Sequence, residues 1–334
     1  MERDIPHAIV EDLGRSSSLP SPRVHPARED FAQAVLAGFA TKPRSLPCRF
    51  FYDARGSALF EEITQLEEYY PTRVETALLE AYGAEIALRV GAARVLVEFG
   101  SGSSRKTSLL LSALAGVSLY VPIDVAGESL AEAAEWLSER HDGLAIRPLI
   151  ADFTKTRTLP VVARRPRKLG FFSGSTIGNL TQAGARGFLA NAARLLGRDA
   201  AFLVGVDLKK DRSILLPAYN DRRGVTASFN LNLLERINRE LDGDIDLDRF
   251  AHDAIYDEAQ GRIEMHLVSL ARQTVRVMGR EFRFGKGERI HTENSHKYSV
   301  EDFQALAASA GWTPAHAWTD ADRLFSLHLL RLAC

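Results

Sequence analysis

Cysteine is nearly missing from this chain. Cys48 and Cys334 are the only two in 334 residues. They are too few and too far apart for a disulfide framework or a zinc site, and they fit a reducing compartment. Neither sign of charge dominates: 42 Lys plus Arg stand against 43 Asp plus Glu. A protein whose partner is nucleic acid or an anionic membrane carries an electrostatic footprint, and this balance gives none. The one basic cluster, Arg164-Arg-Pro-Arg-Lys168, precedes an apolar run and reads as a solvated loop. No apolar stretch is long enough to span a bilayer, and the first residues lack the apolar centre of a secretion signal. The expectation is a cytoplasmic globular protein with room for two domains or one elaborated domain.

What is present is an alternation of strands and helices. Residues 1–28 are rich in Ser, Pro and Arg and read as a disordered tail. A helix follows from Glu29, turns over Pro43–Pro47, and a second helix over Ser57–Leu66. Tyr69-Tyr-Pro-Thr-Arg73 should break that helix, because the residue before a proline resists the α region. A long helix then runs from Thr72. Strands are expected at Val95–Phe99, Val117–Val125, Leu144–Ile150, Lys168–Gly174 and Ala200–Leu208, with helices at Glu128–His141 and Thr181–Gly197. That is the pattern of a doubly wound parallel sheet. It stops at Lys209. Gly224–Leu241 reads as a helix, Ala254–Phe284 as several strands, Val300–Ala310 as a helix, and Pro314–Trp318 with Leu324–Leu332 as a closing hairpin.

The most telling segment is Val95-Leu-Val-Glu-Phe-Gly-Ser-Gly-Ser-Ser-Arg-Lys-Thr107. An apolar strand runs into a glycine loop that opens a helix, which is where open α/β sheets bind ligands. The dinucleotide fingerprint fails because Arg105 stands where the third glycine belongs. A Walker loop fails because no glycine precedes Lys106-Thr107. Three acids fall beside this loop: Glu98 at the end of the first strand, Asp124 at the end of the second, and Asp152 after the third. An acid after the second strand suits a ribose diol, and Asp152-Phe153 suits an adenine amine and its stacking face. Together they favour S-adenosylmethionine over NAD, although single loop acids commonly cap the helix that follows. His291 and His296 have no metal-ligand spacing and read as surface histidines, so no metal is expected.

Six motifs, the glycine loop among them, occur in order: Phe51-Tyr-Asp-Ala-Arg-Gly-Ser-Ala-Leu-Phe60, Glu68-Tyr-Tyr-Pro-Thr-Arg73, Gly100-Ser-Gly-Ser-Ser-Arg-Lys-Thr107, Gly174-Ser-Thr-Ile-Gly-Asn-Leu180, Tyr219 with Gly224-Val-Thr226, and His291-Thr-Glu-Asn-Ser-His-Lys-Tyr298. With these the chain resembles the histidine Nα-methyltransferases of ergothioneine biosynthesis from about Phe50 to Leu330. The resemblance implies an α/β fold: a Rossmann-like class I methyltransferase core with an inserted α+β substrate-binding lobe. The lobe would comprise residues 29–75 and 209–299, and the core residues 76–208 and 300–334. Asn179 and Tyr219 would grip the substrate carboxylate beside Gly174. Tyr69, Glu293 and Ser295 would read the imidazole, Thr226 would help through water, and Met265 would line the ring pocket. Tyr52 would sit at the reacting amine and the donor, as the catalytic candidate. Gly100, Lys106, Asp124, Asp152 and Phe153 would hold S-adenosylmethionine. Phe99 stands where the family usually has leucine.

The implied reaction is trimethylation of L-histidine at its α-amine to hercynine by a monomer. The alternatives are another amino acid or a histidine-like amine as substrate, or an NAD-dependent oxidoreductase. The chemistry of the residues agrees with histidine. A carboxylate and a hydroxyl can serve both ring nitrogens, whereas a buried Glu293 facing a hydrocarbon ring would be left unpaired.

Overall fold

The computed structural model describes residues 26–102 and 104–332. The expected tail over residues 1–25 lies outside the described residues. The first helix, Pro26–Ala40, starts slightly ahead of the expected Glu29 and takes in the last residues assigned to that tail.

An eight-stranded sheet organises one half of the molecule. From one edge its strands are Trp312–Thr319, Phe325–Leu332, Ala201–Asp207, Lys168–Phe172, Val95–Phe99, Leu119–Asp124 and Ala145–Ile146, with Leu149–Ile150 also pairing to Leu119–Asp124. The strands from Ala201–Asp207 to Ala145–Ile146 are parallel, and the terminal hairpin adds to Ala201–Asp207 antiparallel. The chain leaves Val95–Phe99 towards one edge and later returns to build towards the other. The strand order therefore reverses beside Val95–Phe99, and this crevice at the carboxyl ends is where such sheets receive ligands. Val95–Phe99 is buried at every residue because helices cover both faces. Its side chains alternate: Val95, Val97 and Phe99 enter one apolar core, and Leu96 enters the other.

A third apolar core lies outside this sheet. It packs Phe31 and Val35 of the first helix, Phe229 and Leu233 of the helix Val225–Leu241, and Leu267 and Ile290 of a second sheet. That sheet has the order Arg44–Ser45, Arg289–His296, Arg262–Ser269, Phe250–Asp257, and a hairpin of Gln273–Val277 with Arg280–Phe284 lies beside it.

Four local expectations are revised. Tyr69–Arg73 opens a helix instead of breaking one: Tyr70–Val90 carries Pro71 in its first turn, where the missing N–H would have had no helical partner anyway. The helix expected at Ser57–Leu66 is Ala54–Thr64, and Asp53 caps it by accepting from the Gly56 N–H at 2.8 Å. The strand Leu144–Ile150 is two short pieces separated at Arg147-Pro148, since proline cannot donate to a ladder. Among the elements not anticipated are the helix Arg212–Tyr219 and the strand Arg289–His296. No described helix is long and apolar enough to cross a membrane.

Candidate active site

A pocket lies between the central sheet and the second sheet. Its walls include Tyr52, Tyr69, Gly174, Asn179, Tyr219, Thr226, Met265, Glu293 and Ser295. These are all the residues expected at the substrate, from six separate stretches of chain. The turn Thr176–Asn179 places Asn179; it follows Gly174 at φ 70° and Ser175 at φ 54°. Gly178 in this turn lies so close to the second sheet that a Cβ there would stand 2.7 Å from the His296 carbonyl oxygen. Only glycine allows that approach.

The strand Arg289–His296 has an irregularity that sets the chemistry of the pocket. Its register against Arg262–Ser269 shifts between His291 and Glu293. A bulge reverses which face the following residues point to. Beyond it, Glu293, Ser295 and Lys297 alternate onto the pocket side, while His291 joins Asn294 on the other side through a 3.0 Å bond from its Nε2. Met265 is the cross-strand partner of Glu293. His296 is 2% exposed, contrary to its reading as a surface histidine, and burial lowers its pKa. His291 is half-buried. No group of three His, Cys, Asp or Glu among the described residues could hold a metal ion.

Glu293 is 9% exposed, and its carboxylate makes no hydrogen bond to any described residue. Burial pushes its pKa up to about 7, opposed by the charge of Lys297. Thr226 is similar in kind: its backbone N–H is held by Asp221 at 2.8 Å, yet its buried Oγ1 has no partner. An acceptor and a hydroxyl left open in a dry pocket are groups prepared for a polar ligand. Burial raises the phenols of Tyr52, Tyr69 and Tyr219 well above their ordinary range, so all three stay protonated at neutral pH. Glu293 and Asp124 both add to the rise at Tyr52, which puts this phenol within the field of the pocket and of the glycine loop together. The rings of Tyr52, Phe60, Tyr69 and Tyr219 form a chain of edge contacts, with centroids 5.7, 6.2 and 6.3 Å apart. One wall of the pocket is therefore aromatic.

Behind the pocket lies a charged network that the sequence did not disclose. Lys297 is fully buried and donates to Asp207 Oδ2 at 2.6 Å, Tyr219 Oη at 2.8 Å and Ser295 Oγ at 2.8 Å. Asp207 also accepts from Lys210 at 2.5 Å and from the Tyr70 hydroxyl at 2.8 Å. Glu75 is a second hidden group, 0% exposed. Its Oε2 accepts from Lys106 at 2.5 Å and from the Gly174 N–H at 2.8 Å, joining the glycine-loop helix to the pocket wall. Its Oε1 lies 2.1 Å from where a Cβ on Gly205 would stand.

At the carboxyl end of the central sheet the loop turns through Gly100 at φ 73° and Gly102 at φ 50°. A Cβ on Gly100 would stand 3.5 Å from the Phe153 ring. Asp124 accepts from the Ala126 N–H at 3.0 Å and the Gly102 N–H at 3.2 Å. Asp152 accepts from the Thr154 N–H at 2.9 Å. Both acids thus shape their own loops, yet each remains partly exposed beside the cradle, with acceptor capacity for a diol or an amine. Glu98 behaves differently from expectation. It is 1% exposed and its carboxyl is bonded to the Thr107 hydroxyl at 2.6 Å and to Tyr120. Burial raises its pKa to about 8, so it is an internal brace of the loop and not a ligand acceptor. The cradle otherwise fits S-adenosylmethionine: Gly100 gives close backbone approach, Asp124 an acceptor for hydroxyls, Asp152-Phe153 an acceptor and an aromatic face.

The match to known proteins agrees with this geometry. The family described as histidine-specific methyltransferase, SAM-dependent, covers residues 31–332. The histidine N-alpha-methyltransferase of Mycolicibacterium smegmatis is 43% identical over 91% of this chain and 95% of its own length. That of Mycobacterium tuberculosis is 42% identical over 88% of this chain and 92% of its own. Ergothioneine biosynthesis protein 1 of Neurospora crassa is 35% identical over 86% of this chain, which corresponds to 33% of that longer protein. With the sheet order, the glycine cradle and a pocket holding a free carboxylate all in one chain, the protein belongs to the histidine-specific, S-adenosylmethionine-dependent methyltransferases.

Proposed function

We propose that the protein methylates the α-amine of L-histidine three times, producing hercynine as the first step of ergothioneine biosynthesis. The observation that carries the choice of substrate is Glu293, a buried carboxylate without a protein partner, two residues from the Ser295 hydroxyl on the same face of the strand. A ligand that offers an N–H to this acceptor recovers the cost of burying it; a hydrocarbon ring does not. Tyr219 and Asn179 take the carboxylate in this reading, one as a phenol and one as an amide, both able to donate.

When bound, S-adenosylmethionine supplies an electrophilic methyl group on sulfur. Gly100, Asp124, Asp152 and Phe153 hold the donor, and Lys106 is kept in place by Glu75. The pocket residues fix the substrate at three points, so that the amine is aligned with the donor before reaction; alignment is the main contribution a protein can make to such a displacement. Tyr52 keeps its proton and so is not the base; its oxygen orients the amine by accepting from an N–H, which leaves the nitrogen lone pair free, and the proton released passes to water. Each transfer makes an ammonium that gives up a proton before the next, and the third leaves a quaternary nitrogen with no N–H donor and a permanent positive charge. The aromatic wall of Tyr52, Phe60 and Tyr69 suits such a cation. Mass spectrometry of products from S-adenosylmethionine and a pool of free amino acids tests the reading. The expected product is histidine carrying three methyl groups; methylation of a different amino acid in preference would overturn it.

A further inference from the structure

Nothing in the pocket wall offers a cation to the α-carboxylate of an amino acid, yet one lies a single hydrogen bond behind it. Lys297 is fully buried, and an ammonium group can only donate. Its three donors meet three acceptors: Asp207 Oδ2 at 2.6 Å, Tyr219 Oη at 2.8 Å and Ser295 Oγ at 2.8 Å. The phenol oxygen of Tyr219 therefore accepts from Lys297, and its own proton must point elsewhere. Without ligand it has Ser295 Oγ at 2.7 Å; an arriving carboxylate is the stronger acceptor.

The charge count points the same way. Asp207 is shared between Lys297 and Lys210, at 2.6 and 2.5 Å. Lys210 has the charge of Asp320 near it as well, so the ammonium without a full carboxylate of its own is Lys297, whose other acidic neighbour is Glu293, held close to neutral by burial. Lys210 faces Tyr70 and the Leu208 carbonyl, so of the two it is Lys297 that faces the pocket. A buried excess charge is costly unless an opposite charge comes near.

We propose that Lys297 is the positioning residue for recognition of the substrate carboxylate: it polarises the Tyr219 hydroxyl and fixes its proton towards the ligand, giving the site a cation that never touches the substrate. This rests on the placement of the carboxylate at Tyr219 given above. It explains how a phenol and an amide can bind a charged group, and why the residue is buried with all three donors used.

A double-mutant cycle tests it. Steady-state kinetics with histidine would be measured for the wild type, K297M, Y219F and K297M/Y219F, with S-adenosylmethionine affinity measured by calorimetry for each. Loss of a charge-assisted hydrogen bond predicts that K297M and Y219F each raise KM for histidine by about 10- to 100-fold. Because Lys297 acts on the carboxylate through the hydroxyl that Y219F removes, the double variant should be within about threefold of Y219F alone when compared at a pH where Glu293 is ionised in every variant. S-adenosylmethionine affinity should stay unchanged throughout, and kcat should fall less than KM rises. Effects that multiply in the double variant, or a parallel loss of S-adenosylmethionine binding, would overturn the proposal. If K297M does not fold, D207N/K297M removes both members of the ion pair and takes its place in the cycle, with Y219F/D207N as its reference. A wild type that neither binds nor methylates histidine would instead overturn the substrate reading, leaving a distinct signature.

Discussion

Replacing Glu293 by glutamine should make the free protein more stable while removing most of its affinity for histidine. The carboxyl is moved from its ordinary 4.5 to about 7 by burial, with Lys297 opposing. A displacement of that size corresponds to about 3 kcal/mol lost from folding when the group is forced to ionise. The sign follows from proton counts. Between pH 4.5 and 7 the folded state holds a proton that the unfolded state has released, so stability falls as pH rises through that window and is level above it. At pH 5.5 about 1.4 kcal/mol of the cost is already present; at pH 8 all of it is. Glutamine has no proton to lose and removes the slope. In thermal melts between pH 5 and 8.5 the E293Q protein should gain on the wild type as pH rises, reaching an advantage on the order of 5 °C at pH 8. Added histidine should raise the wild-type melting temperature and leave the variant almost unmoved, since an amide cannot replace the ionised acceptor. Parallel melting curves for the two proteins across this range would refute the reasoning, because they would show that Glu293 is either solvated or already paired.

Other consequences can be checked separately. Gly205→Ala puts a Cβ 2.1 Å from Glu75 Oε1, in a strand with no room to yield, and should destabilise the fold by about 3 kcal/mol or more in urea melts. Lys106→Met should raise KM for S-adenosylmethionine at least tenfold with a smaller change for histidine. Glu75→Gln should raise both, since its Oε2 bonds to Lys106 and to the Gly174 N–H; an effect confined to one substrate would contradict that linkage. Tyr52→Phe should lower kcat and leave the shape of the pH–rate profile unchanged between pH 7 and 9.5, because burial already holds the phenol above its ordinary range. Loss of an alkaline limb in the variant would instead assign Tyr52 a titrating role.

The parts of this molecule that could be seen in its sequence are those whose physics is local. The glycine cradle was legible because an apolar strand, a tight turn and a helix start occupy consecutive residues. The alternation of strands and helices likewise gave the central sheet, and only the proline at 148 spoiled one strand. The strand bearing Glu293 and Ser295 left no periodic signal, because a bulge between His291 and Glu293 interrupts its alternation and polar residues occupy its buried face. Those two residues entered by resemblance to a family and not by pattern. Nothing local in the sequence marks Glu75, Asp207 or Lys297 as a buried charge. Each is buried by partners far along the chain: Tyr70 lies 137 residues from Asp207, and Lys297 lies 90 from it. Only the closed fold brings such pairs together.

The compensation of these buried charges says more about the site than their number does. Asp207 has Lys297, Lys210 and Tyr70. Glu75 has Lys106 and the Gly174 N–H. Glu98 is held by Thr107 and Tyr120 and stays protonated, with its pKa at about 8. Asp221 accepts from the N–H groups of Val225 and Thr226. Each of these carboxyls has at least one cation, hydroxyl or backbone N–H bonded to it, although Glu75 is served only at Oε2 and its Oε1 has no partner. Glu293 is the exception among the described residues. Its pKa near neutrality means that a modest interaction is enough to ionise it, and the missing interaction is one that a ring N–H supplies. A fold that gives every other buried carboxyl at least one bonded partner leaves this one open where a ligand can meet it. For that reason substrate binding and the ionisation of Glu293 should be coupled: histidine should bind more tightly as pH rises towards 7.5, beyond what its own ring titration explains.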